Sequence, residues 1–291
     1  MFDQSQCPNL RELDLSHNQM SSLRGFGNLP QLKILKLREN RIETLFVKSG
    51  MEDRSIKRGL YGMPNLEFLD VSSNQLQYLY GLQYSPLKEL KIFWASNNEI
   101  VKIEHLEKLR QLRELDLSKN RIRQIDMNSF HQHHTIMILK LNENGLRSLA
   151  NIEKLEKLQT LYISNNRIQE LFEIEKLAEL PNLLDLSLIH NPIARKPNYR
   201  MIVIKRLVQL MVFDGKEITM EERKRIEGVT GVIDPKQGQT PLVHFQQYPT
   251  VKVPVKLNPV NFDGVFNNMK FQMEQANQPM QPSMQQMKGQ F

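Results

Sequence analysis

The stretch that decides the fold reads LRELDLSKNRIRQI and spans residues 112–125. Leucines at positions 112, 115 and 117 and the asparagine at 120 fit the frame L-x-x-L-x-L-x-x-N, and isoleucines follow at 122 and 125. A frame repeated at a short period indicates a stack of similar units, each of which needs its neighbours to close a core. The frame occurs eight times, with its asparagine at Asn18, Asn40, Asn74, Asn98, Asn120, Asn144, Asn166 and Asn191.

The frame also predicts the shape of each unit. Leucines two positions apart point to the same side of a short strand, so successive copies can pair in parallel and bury that side. The chain must then turn, and an asparagine side chain has the donors and the acceptor that buried backbone groups in such a turn need. Units of about 22 residues leave little room for a full helix, so the return segments should form short 3-10 or single helical turns.

The repeats resemble the leucine-rich repeats of a short intracellular type. That type includes the nuclear regulatory subunit of protein phosphatase one, the spliceosomal A-prime protein and the axonemal dynein leucine-rich light chain. The segments 191–193, 199–200 and 213–216 are similar to the motif that closes such arrays. The resemblance implies an α/β fold: a leucine-rich repeat solenoid, or horseshoe, with a parallel sheet on the concave face, short turns on the convex face and a carboxy-terminal helical cap.

The repeats and the composition together predict three parts of the chain. We expect residues 1–191 to form the array, with an insertion at about 46–60, and residues 192–227 to form the cap. Residues 228–291, rich in Gln, Pro and Met, should be a mostly disordered tail. No amphipathic segment precedes the first repeat, so either the array continues before it or that repeat frays.

Charge, cysteine content and hydropathy limit the ligands and the cellular compartments that fit this protein. The formal net charge is +7 and is spread along the chain, which does not by itself predict nucleic-acid binding. The single Cys7 cannot form an internal disulfide, which favours a reducing compartment. We find neither a long apolar run nor a signal peptide in the sequence. We therefore expect an intracellular, cytoplasmic protein that does not bind membranes, with the cilium, the cytoskeleton or the nucleus as alternative locations.

Motifs for catalysis or for cofactor binding are absent from the sequence. It has no phosphate-binding glycine loop, no His-Glu-x-x-His and no Cys-x-x-Cys. Three histidines at 131, 133 and 134 are interpreted as solvated loop residues rather than metal ligands. The segment 91–94 resembles the docking peptide of phosphatase-binding proteins, but Phe93 occupies a core position of the frame. We predict a protein that is not an enzyme and holds no cofactor or metal.

The third and fifth positions of each copy point away from the core, onto the concave face, where the scaffold does not dictate the residue type. Repeats two to four offer apolar side chains there, which should form one exposed strip rimmed by charge, with the composition of a protein-binding hot spot. The alternative is that these side chains only cover one another, or that the tail covers them. The predicted partner-binding residues are Ile34, Lys36, Phe68, Asp70, Ile92, Trp94, Glu114, Asp116, Lys140 and Tyr162.

These observations favour one class of function. Mixed charge on the predicted face argues against a phosphate backbone as the main ligand, because nucleic acid calls for a stripe of Arg and Lys. We therefore predict a monomeric, non-enzymatic scaffold that binds a protein partner on its concave face. The resemblance implies a ciliary or cytoskeletal assembly as one setting. It also allows two alternatives, a phosphatase-regulatory subunit and an assembly factor of a ribonucleoprotein complex.

Overall fold

The computed structural model describes residues 7–47, 59–130 and 134–228, which lie within one compact unit spanning Met1–Asp234. Three predictions fall partly or wholly outside these residues. They concern the tail after residue 228, the middle of the insertion at 48–58, and the histidines at 131 and 133.

The sheet follows the order of the repeats. Each of eight successive strands is three residues long and pairs in parallel with the next, as the frame predicts. A ninth strand, β9 (Val212–Phe213), continues the parallel order, and β10 (Lys216–Glu217) pairs with it antiparallel. The eight repeat strands are β1 (Glu12–Asp14), β2 (Ile34–Lys36), β3 (Phe68–Asp70), β4 (Ile92–Trp94), β5 (Glu114–Asp116), β6 (Ile138–Lys140), β7 (Thr160–Tyr162) and β8 (Asp185–Ser187).

The core lies behind the sheet and runs the length of the array. The central residue of each inner strand is fully buried, as at Leu69 and Leu115, and so are inward-facing aliphatic residues of the return segments, such as Leu76 and Ile122. The first repeat is less covered, because it has a neighbouring repeat on one side only among the described residues. Its Leu13 is half-buried.

The repeat asparagines link each unit to the one before it. Asn120 donates from Nδ2 to the carbonyl oxygens of Ala95 (3.0 Å) and Leu117 (2.9 Å), and its Oδ1 accepts the amide of Ile100 at 2.9 Å. The same bonds recur at the later copies, so the predicted role of asparagine is confirmed. Asn18 of the first repeat is exposed, and among the described residues it donates only to carbonyls of its own turn.

A left-handed residue precedes every repeat asparagine. Its φ lies between +53° and +60°, as at Lys119, where φ is 56°. This conformation turns the chain sharply after the strand and so brings the asparagine side chain over the backbone of its own turn. Glycine and asparagine adopt this conformation most readily, yet only two of the eight residues are asparagines and none is glycine. The residue type at this position therefore does not predict the turn. The eight are His17, Glu39, Ser73, Asn97, Lys119, Glu143, Asn165 and His190.

The return segments contain short 3-10 helices, as predicted for units of this length. They span Gly59–Gly62, Leu82–Tyr84, Leu171–Leu177 and Pro192–Arg195 among the described residues. Of the predicted insertion at about 46–60, only the two ends are described. Val47 packs against the core, and Gly59 and Leu60 are buried in the first of these helices.

Two α-helices follow the last repeat: α1 (Tyr199–Arg206) and α2 (Met220–Gly228). Asp214 accepts the Leu188 amide (2.8 Å) and the Tyr199 hydroxyl (3.1 Å), and burial raises the pKa of its carboxyl. Thr219 caps α2 by accepting the amide of Glu222 at 3.1 Å. The Glu222 carboxylate binds the Arg200 guanidinium at 2.7 and 2.9 Å, so this charge pair joins the two helices.

Candidate functional site

The parallel register places the predicted site residues in two rows across the concave face. Strands β2 to β6 align Ile34, Phe68, Ile92, Glu114 and Ile138 in one row. The other row holds Lys36, Asp70, Trp94, Asp116 and Lys140, again from strands β2 to β6. The predicted alignment of these positions is therefore confirmed, while their role in binding stays a prediction.

Four of these residues form one contacting group, which we call the Trp94 cluster: Phe68, Trp94, Glu114 and Lys140. The Phe68 and Trp94 rings meet edge to face, with centroids 4.9 Å apart. Trp94 Nε1 donates to Glu114 Oε1 at 3.0 Å, and the Lys140 ammonium donates to the same oxygen at 2.7 Å. Lys140 Nζ also lies 5.9 Å from the indole centroid, so Trp94 is held by both polar and ring contacts.

Exposure differs from the prediction in the middle of the face. Phe68 is 1% exposed and Ile92 is 4% exposed, so the predicted exposed strip through these two residues is wrong. Each lies between bulky neighbours in the parallel register, and the Trp94 ring packs onto Phe68. Trp94 itself is only partly buried and remains the accessible aromatic residue of the cluster.

The predicted charged rim is also partly buried. Asp70 is 6% and Glu114 5% exposed, and burial raises the pKa of the Asp70 carboxyl although its Oδ1 accepts the Ser72 amide at 2.8 Å. Asp116, half-buried, makes the equivalent bond to Ser118 at 2.9 Å.

Two of the remaining predicted residues make polar contacts outside the Trp94 cluster. Lys36 pairs with Glu12 at 2.8 Å on the neighbouring strand, at the amino-terminal end of the face. At the other end, the Tyr162 hydroxyl donates to Asp185 at 2.6 Å. Burial and this hydrogen bond raise the pKa of Tyr162 to about 12. The ten predicted residues thus lie on neighbouring strands, with the Trp94 cluster at the centre and separate polar contacts at Lys36 and Tyr162.

A second group of aromatic residues was not singled out by the sequence analysis. Phe46, Tyr80, Tyr84 and His105 come from the return segments of three successive repeats and touch one another; we call them the aromatic cluster. A signal for it exists in the frame, because Phe46 and Tyr80 both stand six positions after a repeat asparagine.

The described residues contain neither a group of metal-ligand side chains nor a membrane-spanning helix. In residues 7–47, 59–130 and 134–228, no three His, Cys, Asp or Glu side chains are grouped so that they could hold a metal ion. Within the same ranges, no helix is both long and apolar enough to span a bilayer.

Comparison with known proteins gives matches along most of the described chain. A model described as leucine-rich repeat matches residues 102–240, and a model of two leucine-rich repeat copies matches residues 8–49. U2 small nuclear ribonucleoprotein A' of Schizosaccharomyces pombe is 40% identical over 65 residues, 22% of this chain and 27% of that protein. A protein phosphatase 1 regulatory inhibitor subunit homolog of Arabidopsis thaliana is 34% identical over 133 residues, 40% of each chain.

Solved structures agree on the fold. Internalin C2 of Listeria monocytogenes superposes with a TM-score of 0.54 at 22% identity, covering 72% of this chain and 82% of that one. At this identity the likeness concerns the fold alone. The chain spans less than half the length of either curated relative. The repeat frame, the parallel sheet and the two family matches together show that the chain belongs to the leucine-rich repeat proteins.

Proposed function

We propose that this chain is a non-enzymatic scaffold that binds a helix or segment of a protein partner on its concave face, centred on the Trp94 cluster. The observation that carries the proposal is the geometry of Trp94. Its ring is partly accessible, yet Phe68 and Glu114 hold it in one orientation. Tryptophan is enriched among residues that dominate binding energy, especially at the centre of an interface.

Pre-orientation lowers the cost of binding. A side chain that is immobile before association loses less conformational entropy when the partner arrives. The Trp94 ring also has a cation beside it, since Lys140 lies 5.9 Å from its centroid. Around the ring, Lys140 and Asp116 offer charges of both signs, which suits a partner segment with mixed polar and apolar side chains better than a phosphate backbone.

The experiment compares three proteins as affinity baits in cell lysate: the wild type, Trp94→Ala and Phe172→Ala. Phe172 is 55% exposed and lies in the 3-10 helix Leu171–Leu177, away from the concave strands, so it is a matched aromatic control. Circular dichroism and thermal melting first confirm that all three are folded. We expect the wild type and Phe172→Ala to capture the same protein partner, and Trp94→Ala to fail to capture it.

The captured partner is then purified and titrated. Truncating a central tryptophan should cost about 2 kcal/mol or more, which is roughly a thirtyfold rise in Kd. Equal affinity of the wild type and Trp94→Ala would overturn the concave site. A partner lost only from Phe172→Ala would place the binding site on the return segments instead of the concave face.

Similarity to two curated relatives supports two alternative functions. One is regulation of a protein phosphatase, suggested by the 34% identity to the phosphatase inhibitor subunit homolog. It would not use the segment 91–94 as a docking peptide, because Phe93 is fully buried in β4. Capture of a purified phosphatase catalytic subunit by the wild type but not by Trp94→Ala would support it.

The other alternative is assembly of a ribonucleoprotein complex, suggested by the 40% identity to the small nuclear ribonucleoprotein A'. Contacts to phosphates make association fall steeply with salt, whereas binding through the Trp94 cluster should depend weakly on it. Measuring Kd for the purified partner between low and physiological salt therefore separates this function from the scaffold proposal.

We also propose that the scaffold is monomeric and works inside the cell, in the cytoplasm, in a cilium or cytoskeletal assembly, or in the nucleus. The single Cys7 supports a reducing compartment. Light scattering of the purified chain tests the monomer, and microscopy of the tagged chain tests the location.

A further inference from the structure

The aromatic cluster lies on the return segments, away from the concave face. Tyr80 is at its centre: its ring centroid lies 5.2 Å from that of Phe46, 5.6 Å from Tyr84 and 6.0 Å from His105. The Tyr80 and Tyr84 hydroxyl oxygens are 3.3 Å apart. The two tyrosines are 42% and 50% exposed, so aromatic side chains of three adjacent repeats meet at the protein surface.

A glycine makes this arrangement possible. Gly81 has a φ of +114°, and a Cβ built on it would lie 2.8 Å from the Phe46 amide nitrogen and 2.9 Å from the Leu45 carbonyl carbon. Only a residue without a Cβ lets the turn of the third repeat approach the second so closely. The close approach brings Tyr80 against Phe46, and the cluster is therefore built into the packing of the backbone.

A carboxylate lies beside His105, at one end of the aromatic cluster. Glu104 follows Asn98 by six positions, as Phe46 and Tyr80 follow their own repeat asparagines, so it continues their row on the next repeat. Its only ion pair among the described residues is with His105 Nε2 at 3.6 Å, and that histidine is charged only when protonated. The side chain of Glu104 is 33% exposed. The row thus runs from aromatic faces to an accessible negative charge.

Other aromatic rings of this chain have cations of their own. Lys140 lies 5.9 Å from the Trp94 ring, Lys176 lies 5.8 Å from Phe172, and Arg200 lies 5.8 Å from Phe213. In the described part of the chain, no Lys or Arg lies over a ring of the aromatic cluster. The aromatic cluster and Glu104 together offer electron-rich faces and a carboxylate, the two groups that attract a cation.

We propose that the aromatic cluster binds an arginine side chain in an extended segment of a partner protein. A guanidinium group is planar, so it can stack on the Tyr80 or Tyr84 ring while donating hydrogen bonds to the Glu104 carboxylate. A lysine ammonium offers a point charge without that fork and is more strongly hydrated, so it fits less well. This site is separate from the concave face and does not depend on the function proposed for Trp94.

The test uses the full chain labelled with 3-fluorotyrosine and observed by fluorine NMR. Tyr80→Leu and Tyr84→Leu assign the two resonances, and thermal melting checks that both variants are folded. The probe is the peptide acetyl-Gly-Arg-Pro-Arg-Gly-amide. The matched peptides carry lysine or citrulline in place of arginine, and citrulline keeps the shape of the side chain without its charge.

We expect the arginine peptide to shift the Tyr80 and Tyr84 resonances in a saturable way and the citrulline peptide to leave them unchanged. Glu104→Gln should weaken the arginine titration at least threefold. Tyr78→Leu is the control, because Tyr78 is 51% exposed in the same repeat and makes no ring contact with the cluster; its titration should match the wild type. Equal shifts from citrulline or lysine, no shift at millimolar peptide, or an unchanged Glu104→Gln titration would overturn the assignment.

Discussion

Replacing Asn120 by alanine tests how the repeats are joined. The Asn120 side chain is 8% exposed and bonds both its own turn and the preceding repeat. Its loss leaves the amide of Ile100 without its acceptor, since among the described residues that amide donates to Asn120 Oδ1 alone. The two carbonyl oxygens that Asn120 binds remain hydrogen-bonded, because Asn98 still donates to Ala95 and Asn144 still donates to Leu117.

The hydrogen bonds lost in Asn120→Ala determine how much stability the variant should lose. One buried, unpaired amide costs about 1–3 kcal/mol, and the lost bonds to the carbonyls and the small cavity add roughly 1 kcal/mol. We therefore expect Asn120→Ala to lower the free energy of unfolding by about 2–4 kcal/mol. Asn18→Ala is the matched control: in the described part of the chain this exposed asparagine bonds only Leu15 and Ser16 of its own turn, so its loss should cost under about 1 kcal/mol.

The assay is equilibrium urea unfolding followed by circular dichroism, with amide hydrogen exchange at Ile100 as a local measurement. Exchange at Ile100 should accelerate in Asn120→Ala and stay unchanged in Asn18→Ala. If the two variants lost the same stability, or if Asn120→Ala lay within about 0.5 kcal/mol of the wild type, the joining role of the asparagines would be refuted.

Two further changes probe the concave face and the return segments. Because burial raises the pKa of Asp70 above its ordinary value of 3.8, its contribution to stability is present below that pH and is lost as the pH rises through the folded-state pKa. Asp70→Asn should therefore be more stable than the wild type at pH 7, with the gain shrinking towards pH 3.8 in urea titrations. Gly81→Ala should lose about 2 kcal/mol or more in the same assay, because φ is +114° and the Phe46 backbone occupies the space of a Cβ. Gly25→Ala, with nothing within 4 Å, should be near neutral; equal losses would contradict the packing argument.

Much of the fold could be predicted because the repeat frame acts locally. The leucines of L-x-L specify a strand and its buried side, as at Leu115 and Leu117, and the register of the sheet follows from stacking identical frames. The asparagine bonds could be predicted for the same reason: any turn after such a strand leaves backbone groups that need a partner. The left-handed residue before each asparagine could not, since residues as different as Lys119 and Glu143 adopt it.

The candidate site was predictable only in outline. The frame places Phe68, Trp94 and Glu114 on the concave face, and the structure agrees. It does not say which of them remains accessible, because exposure depends on the volume and rotamer of the neighbours. The Trp94 ring covers Phe68, and both Trp94 and Lys140 donate to the buried Glu114 carboxylate.

By itself, the sequence determined the repeat number, the parallel order of the strands and the two rows of the concave face, because each follows from a pattern within one unit. Only the tertiary structure decided which side chains meet between units. The Trp94 cluster joins strands β3 to β6, and the aromatic cluster joins return segments that are tens of residues apart in the chain. Contacts of this kind depend on the distance and rotation between successive repeats, which packing sets across the whole stack and no single frame encodes.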